Sequence, residues 1–222
     1  MLTKPFCPVF TECLAGVMIK LAQEVDGTMF VYSFNDEIVL VARNDQSTET
    51  NAWYDNRIQK IVSVAASIAT FEFNRLAKLN NMEIFGDPIF SAKTFIVPTI
   101  TEAINYLVAK QNEAFHTALS NATFYELLKK HNIDVVQQTL SEKSSQAKAD
   151  ILFEECEIEF NSYPSPFRRG FACYRAPKII NIGGDEKIRN KLTIDMELPI
   201  FARDHDFLKN VFQTGKDIFR VK

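Results

Sequence analysis

Residues 28–43 read TMFVYSFNDEIVLVAR and carry the clearest structural signal in the chain. Two runs rich in β-branched and aromatic residues, Met29–Phe34 and Ile38–Ala42, flank the polar tip Asn35-Asp36-Glu37. Because Asn and Asp tolerate turn geometry, the pattern predicts a β-hairpin. Two adjacent carboxylates at such a tip form a candidate Mg²⁺ site, since this ion prefers carboxylate and phosphate oxygens. An ordinary acidic turn is the alternative interpretation.

The composition is that of an ordinary soluble globular protein. The 222 residues are 46% hydrophobic and 24% charged, which is enough for one large domain or two small ones. The net charge of −3 excludes attraction of nucleic acid by the charge of the whole molecule, so such binding would need a local basic patch. The 19 phenylalanines indicate a well-filled core.

The cysteines and the apolar runs indicate the compartment. The four cysteines form no C-x-x-C pair and do not cluster with the three histidines, so neither a zinc site nor a disulfide framework is expected. Free thiols in a reducing cytoplasm are the simplest interpretation. No apolar run reaches the roughly 18 residues of a membrane span, and no signal-peptide layout begins the chain.

The remaining periodicity predicts an α+β fold, a palm-like and mainly antiparallel sheet flanked by helices. We expect helices over 9–24 and 54–79, one or two helices over 101–130 with Thr101 as N-cap, and a strand over Phe90–Pro98. Residues 141–149 read as a loop, and Gly183-Gly184-Asp185 reads as a turn. The predicted domains are a palm-like domain, 1–135, and a smaller helical and strand extension, 136–222, packed on it.

Seven short blocks occur in order along residues 4–175. They are Lys4-Pro5-Phe6, Asn35-Asp36-Glu37-Ile38, Arg57-Ile-Gln-Lys60, Phe90-Ser-Ala-Lys93, Tyr106 to Glu113, Lys148 to Phe153, and Asn161 to Gly170. In this order and spacing the chain resembles the tRNA-His guanylyltransferase family. That family adds nucleotides to a 5′ end, in the 3′-to-5′ direction, on a polymerase-like palm.

The resemblance implies roles for individual residues. Asp36 would be a Mg²⁺ ligand and catalytic residue, and Glu37 a supporting carboxylate. Asn35, Arg57 and Lys60 would bind the incoming nucleotide; a solvated helix face is the alternative for the two cations. The substrates implied are GTP or another NTP, ATP, and the 5′ end of tRNA or a similar RNA, and family members form homo-oligomers, here a dimer or tetramer.

Contacts to RNA are expected from a second set of residues that lies in the later blocks. These residues are Lys110, Gln111, Lys148, Asn161, Arg168 and Arg169. A charged loop without a partner is the alternative interpretation of the two arginines. Tyr163 and Phe167 beside them would either stack on an unpaired base or pack within the turn.

Two departures from the family pattern stand out. The family carries an Asp-Gly-Arg segment upstream of the Lys-Pro-Phe block, and its Asp is the other metal carboxylate. This sequence starts three residues before Lys4 and does not include that segment. It would be a shortened form of a longer enzyme, a natural variant without catalysis, or a chain completed by another polypeptide. The family's helical His is also displaced by one residue, to His116, which turns it by about 100° and out of that role.

Two functions follow. The first is a Mg²⁺-dependent nucleotidyltransferase that adds a nucleotide, GTP by preference, to the 5′ end of tRNA or a similar RNA. The second is a catalytically inactive relative that binds RNA or nucleotide, or that acts in assembly. Intact Asp36, Glu37, Arg57 and Lys60 favour the first, whereas the absent Asp-Gly-Arg segment favours the second.

Overall fold

The computed structural model describes residues 3–45, 52–84, 86–182 and 185–217. Within them the strands are β1 (Thr28–Phe34), β2 (Glu37–Ala42), β3 (Phe171–Ile182) and β4 (Asp185–Asp195). The helices are α1 (Pro8–Glu24), α2 (Ile58–Leu79), α3 (Ile100–Leu127), α4 (Ile133–Leu140), α5 (Ser145–Cys156), α6 (Ser165–Arg169) and α7 (His205–Asp217). Short 3₁₀ turns cover Trp53–Asn56 and Phe160–Ser162.

The four strands form one antiparallel sheet in the order β2-β1-β3-β4. The predicted hairpin and the α+β class with an antiparallel sheet flanked by helices are confirmed. Phe34 lies opposite Glu37, so Glu37 already belongs to β2 and the tip is the pair Asn35-Asp36. The sheet takes two strands from each side of the domain boundary predicted at residue 135, and β3 is hydrogen-bonded directly to β1. The division itself stays a prediction.

Alternation along β1 builds a core on each face of the sheet. Val31 packs with α1 and α2, whereas Phe30, Tyr32 and Phe34 pack with α3, α7 and residues 198–201. The Phe30 ring alone contacts four aromatic rings: Tyr174, Phe201, Phe207 and Phe212. Burying one such side chain contributes about 1.5–3 kcal/mol, so Phe30 stabilises this face of the sheet.

Strands β3 and β4 extend well beyond their neighbour β1. β1 pairs with β3 only from Phe171 to Tyr174, but β3 and β4 stay paired as far as Ile182 and Asp185. Residues 175–182 and 185–192 therefore form a two-stranded ribbon to which no other described strand is hydrogen-bonded. We call this ribbon the arm.

Several local predictions differ from the structure. Phe90–Pro98 is not a strand: the backbone N–H of Phe90 donates to Thr70 Oγ1 (2.9 Å) and Pro88 O accepts from Asn74 (2.8 Å), so side chains of α2 take the bonds of a strand partner. The N-cap of α3 is Thr99, whose hydroxyl accepts from the N–H of Glu102, and Thr101 lies inside the helix.

The region predicted as a loop over 141–149 contains the start of α5. Ser144 caps this helix by accepting a hydrogen bond from the N–H of Ala147 at 3.2 Å. Helix α2 begins at Ile58, after the 3₁₀ turn Trp53–Asn56, and not at residue 54 as predicted. Positions 183 and 184 of the turn predicted at Gly183-Gly184-Asp185 lie outside the described residues, so that turn stays a prediction. Free thiols are confirmed, because all four cysteines are unpaired.

Candidate active site

The hairpin tip lies at the mouth of a cavity of about 460 Å³. Asn35 has a φ of 48°, in the left-handed region that Asn tolerates better than most residues. Asp36 follows it with an exposed side chain. The other walls come from the N-terminal segment, from one face of α3, and from the junction of α6 with β3. The tip therefore borders a space that is lined by distant parts of the chain.

The base of the tip is fixed by contacts with the α6–β3 junction. The Tyr32 hydroxyl donates to the carbonyl of Arg169 (2.7 Å), and burial raises the pKa of Tyr32, which keeps this donor protonated. Gly170 has a φ of 78°, and a Cβ added there would lie 2.5 Å from the Ser33 carbonyl oxygen. The Ser33 hydroxyl donates to the Glu37 carbonyl (2.9 Å). The backbone at residue 170 can lie this close to the Ser33 carbonyl only because residue 170 has no side chain.

Glu37 is held by a lysine of α3. Lys110 Nζ lies 2.9 Å from Glu37 Oε1 and 2.9 Å from Glu113 Oε2, and only 13% of its side chain is exposed. Partial burial would lower the pKa of Lys110, but hydrogen bonds to Glu113 and Glu37 outweigh it and raise that pKa. The contact of Lys110 with RNA stays a prediction, and in this structure two carboxylates bind its ammonium group.

The cavity wall opposite the tip contains residues that sequence reasoning did not assign to the site. Lys4 Nζ lies 4.9 Å from the centre of the Tyr125 ring. Thr117 and Asn121 lie one helical turn apart on the cavity face of α3. His116 does not line the cavity and contacts Ser145 Oγ instead (2.7 Å). The spacing of polar residues on α3 was the signal that could have revealed this face.

An aromatic group closes one side of the cavity. The rings of Phe6 and Phe167 are stacked with centroids 5.0 Å apart, and Tyr163 meets Phe6 edge-on at 5.1 Å. The Tyr163 hydroxyl donates to Glu126 Oε1 at 3.2 Å. Tyr163 thus packs against the N-terminal segment and α3, while Phe167 also lines the cavity.

Arg57 and Lys60 lie at the start of α2 and do not line this cavity. The preceding residues Tyr54, Asp55 and Asn56 have φ values of 50°, 53° and 57°, a strained left-handed turn of the kind that clusters at functional sites. Arg57 Nε donates to the Tyr54 carbonyl (3.2 Å), and Lys60 Nζ lies 5.3 Å from the Tyr54 ring. Both cations are exposed beside a helix N-terminus, which favours bound anions.

Several residues predicted to contact RNA form hydrogen bonds within the protein. Gln111 is buried: its Nε2 donates to the Pro199 carbonyl (3.0 Å) and its Oε1 accepts from the Phe201 N–H (2.7 Å). The contact of Gln111 with RNA stays a prediction, and in this structure both ends of the buried amide bond within the protein. Lys148 Nζ donates to Ser120 Oγ (3.0 Å) between α5 and α3, and the residue is partly buried.

The two arginines of α6 also bond within the chain. Arg168 donates to the Tyr163 carbonyl (2.6 Å) and to the exposed Asn161 (3.2 Å), and Arg169 donates to Ser165 Oγ (2.8 Å). Burial and the charge of Arg169 lower the pKa of Arg168. Each guanidinium nonetheless keeps nitrogen atoms beyond those used in these bonds.

The donor set at the tip fits one Mg²⁺ ion shared with phosphates. Among the described side chains that line the cavity, Asp36 supplies the only carboxylate. No group of three or more His, Cys, Asp or Glu side chains is placed to hold a metal within the part of the chain that the structure describes. Mg²⁺ commonly takes one or two carboxylates together with phosphates and water, so Asp36 suits this mode but not a complete two-metal centre.

Comparison with known proteins agrees with this architecture. Residues 1–98 match the family model described as tRNAHis guanylyltransferase, and residues 101–199 match the one described as Thg1 C terminal domain. The chain belongs to the tRNAHis guanylyltransferase family. This family consists of nucleotidyltransferases, so the relationship predicted from the seven blocks is confirmed.

Relatives within the family are about a quarter identical to this chain over the aligned residues. The tRNA(His) guanylyltransferase of Candida glabrata is 24% identical over 180 residues, which are 78% of this chain and 73% of that protein. The probable tRNA(His) guanylyltransferase of Mus musculus is also 24% identical, over 73% of this chain and 53% of that protein. The chain thus spans about half the length of the mouse relative.

Solved structures of family proteins share the fold. A bacterial tRNA(HIS) guanylyltransferase (Thg1)-like protein in complex with ATP superposes with a TM-score of 0.78 at 24% identity, over 95% of this chain and 82% of that one. The same kind of bacterial protein in complex with GTP gives 0.71. The Saccharomyces cerevisiae enzyme gives 0.68 at 20% identity, over 85% of this chain and 80% of that one. Among the described residues, no helix is long and apolar enough to cross a membrane.

Proposed function

We propose that this chain is a Mg²⁺-dependent nucleotidyltransferase that adds a nucleotide, by preference from GTP, to the 5′ end of tRNA or a similar RNA. The observation that carries the proposal is the exposed Asp36 carboxylate at the mouth of a nucleotide-sized cavity. Its volume of about 460 Å³ lies within the range of small-molecule sites. The relatives solved with ATP and with GTP support both nucleotides as substrates.

The cavity offers separate surfaces for the parts of a nucleotide. The Phe6–Phe167 stack gives an apolar wall against which a base can pack. Thr117 and Asn121 on α3 supply hydrogen-bonding groups, and Lys4 supplies a positive charge for a phosphate. We propose that Asp36 would hold a Mg²⁺ ion jointly with the phosphates, and this ion would neutralise the charge that develops there.

The remaining predicted residues act around this cavity. The bonds between Lys110, Glu37 and Glu113 tie the start of β2 to α3, so Glu37 supports the position of Asp36. Arg57 and Lys60, outside the cavity, would bind a triphosphate at the N-terminus of α2. In the proposed reaction ATP first adenylylates a 5′-monophosphate of the RNA and releases pyrophosphate. The 3′-hydroxyl of the nucleotide added then attacks the RNA 5′ phosphorus and displaces AMP, or displaces pyrophosphate directly from a 5′-triphosphate. Positioning this hydroxyl is the main task of these residues.

One observation favours a second function, an inactive relative that binds RNA or nucleotide or acts in assembly. In the described residues Glu37 is paired with Lys110, which leaves Asp36 as the one carboxylate presented to the cavity. A protein that binds nucleotide through Lys4, Arg57 and Lys60 without turnover would have this arrangement.

The large exposed side chains of Ile89 and Ile96 are candidate contacts for the proposed homo-oligomer.

Incorporation of labelled GTP into tRNA tests the two functions against each other. The 222-residue chain is incubated with 5′-monophosphorylated or 5′-triphosphorylated tRNA, with ATP present or omitted and with Mg²⁺ or EDTA. We expect label at the RNA 5′ end only with Mg²⁺, and with added ATP for the monophosphorylated RNA. Binding of GTP without incorporation into either RNA would instead establish the inactive relative.

Loss of the cations at the start of α2 should weaken nucleotide binding. We expect Arg57→Ala and Lys60→Ala each to raise the KM for GTP by about ten-fold, with a smaller effect on kcat, because each removes a charge-assisted contact of about 1.5–3 kcal/mol before discounting for exposure. Steady-state kinetics with GTP measure this change. Lys78→Ala, at the exposed C-terminal end of the same helix, is the matched control and should leave KM unchanged. Equal changes in the KM for GTP in Lys60→Ala and Lys78→Ala would show that the start of α2 does not bind the nucleotide.

A further inference from the structure

The two neighbouring carboxylates of the hairpin tip lie in different surroundings. Asp36 is exposed and lines the cavity, whereas Glu37 is not among the described residues that line it. Glu37 lies directly opposite Phe34 in the hairpin, and residues opposite each other share a face of the sheet. Phe34 packs in the core that contains α3, so Glu37 lies on the α3 side as well. The turn therefore separates two acidic side chains that are adjacent in sequence.

Lys110 of α3 contacts both carboxylate oxygens of Glu37. Its Nζ lies 2.9 Å from Oε1 and 3.0 Å from Oε2, and a further contact of 2.9 Å joins it to Glu113 Oε2. The rings of Phe34 and Tyr106 have their centres 5.9 Å and 6.0 Å from the same nitrogen. Because only 13% of its side chain is exposed, Lys110 is largely excluded from water and holds a defined position beside the tip.

A lysine in this position competes with a metal ion for Glu37. A divalent cation binds a carboxylate through the same oxygens that face Lys110 Nζ, and two cations at such short range repel each other. The affinity of a metal site rises with the number of charged ligands, so the loss of one carboxylate weakens it. The tip therefore offers Asp36 to an ion and keeps Glu37 in an ion pair.

We propose that Lys110 is a positioning residue that withholds Glu37 from the metal site, so that the tip binds a divalent ion through Asp36 alone. The proposal rests on the proposed function, which assigns the ion to Asp36. Its consequence is that firm binding of the ion requires the phosphates of a nucleotide, since one carboxylate and water bind Mg²⁺ weakly. Lys110 thus couples the ion to the nucleotide, besides joining β2 to α3.

Two double variants with the same net charge as the unchanged chain test this proposal. The first carries Lys110→Met with Glu113→Gln and leaves Glu37 without its cation. The second carries Lys110→Met with Glu37→Gln and leaves Glu113 instead. The probe is Mn²⁺, titrated without nucleotide or RNA, with the free ion measured by electron paramagnetic resonance.

The two double variants should differ in their affinity for Mn²⁺. We expect the first to bind the ion about ten-fold or more tightly than the unchanged chain, with fewer water molecules on the ion, because Glu37 joins Asp36 as a ligand. The second should stay within about two-fold of the unchanged chain, because it has gained no ligand at the tip. Equal affinities of the two double variants would overturn the proposal.

Single substitutions keep the test independent of the folding of the double variants. We expect Glu37→Gln to leave the affinity for Mn²⁺ within about two-fold, and Asp36→Asn to lower it about ten-fold or more. Lys110→Arg preserves the charge and should match the unchanged chain in Mn²⁺ binding. A loss of affinity in Glu37→Gln as large as that in Asp36→Asn would overturn the proposal, because Glu37 would then already be a ligand. Thermal unfolding of each variant checks that the fold is retained.

The outcomes for Lys110 and for the proposed function are separable, because Mn²⁺ binding is measured without turnover. Tighter Mn²⁺ binding by the first double variant alone, without GTP incorporation by the unchanged chain, would support the role of Lys110 and contradict the transferase. Incorporation of GTP by the unchanged chain, with equal Mn²⁺ affinities in the two double variants, would support the transferase and contradict the role of Lys110.

Discussion

Asp36→Ala is expected to lower GTP incorporation about a thousandfold while leaving the unfolding temperature unchanged. The carboxylate is exposed at the hairpin tip and makes no hydrogen bond or ion pair with the described residues, so its removal costs the fold little. Catalysis should suffer because the cavity would lose its only carboxylate among the described lining residues. Asp36→Asn should be equally inactive, because it keeps the shape of the side chain and removes the charge.

The matched control for Asp36 is Asp26→Ala, an exposed Asp in the turn at the opposite end of β1. We expect this variant to retain full incorporation. Label transfer and thermal unfolding are measured on the same preparations, with tRNA affinity as a third readout that neither substitution should alter. Substantial turnover by Asp36→Ala would show that the tip does not hold the catalytic charge.

Gly170→Ala is expected to reduce the free energy of unfolding by at least about 3 kcal/mol. Gly170 has a φ of 78° and a ψ of −175°, a conformation that is nearly confined to glycine and costs other residues about 1–3 kcal/mol. The new Cβ would also lie 2.5 Å from the Ser33 carbonyl and 2.6 Å from the Tyr32 hydroxyl oxygen. In a chain of this length, that loss corresponds to an unfolding temperature lower by roughly 10 °C.

Gly86→Ala separates the cost of a positive φ from the cost of steric overlap between the new Cβ and its neighbours. Gly86 has a nearly identical φ of 77°, but a Cβ there would meet no atom within 4 Å. We therefore expect it to cost only about 1 kcal/mol, the penalty of a left-handed backbone alone. Denaturant titration of both variants measures the difference. Equal losses would show that the approach of residue 170 to β1 does not constrain the tip.

The features that could be predicted from sequence are those set by neighbouring residues. The Asn35-Asp36 turn between two β-rich runs specified the hairpin, and apolar spacing over 9–24 specified α1 within one residue. Local pattern failed where a distant partner decides the outcome. Phe90–Pro98 has the composition of a strand, yet the N–H of Phe90 and the carbonyl of Pro88 just before the segment bond to side chains of α2.

The candidate site shows the same limit. Gln111 is a polar helical residue in the sequence, and only the fold reveals that Pro199 and Phe201, about 90 residues later, take both ends of its amide. The pairing of Lys110 with Glu37 spans 73 residues. Lys178 and Arg189 share a face because of the register between β3 and β4, and the sequence around either residue does not reveal that register.

The pairing of β1 with β3 has a consequence for folding during synthesis. Tyr32 bonds to the carbonyl of Arg169, 137 residues later, so the central strand acquires its second neighbour only when most of the chain has been made. Closing so long a loop costs entropy before any contact repays it, and such non-local pairing is slow. The β1–β2 hairpin can form early, but Phe30 and Tyr32 remain without their full cover until β3 leaves the ribosome. A nascent chain interrupted before residue 170 would therefore expose the unpaired, aggregation-prone edge of β1, and we expect chaperones and proteases to bind it.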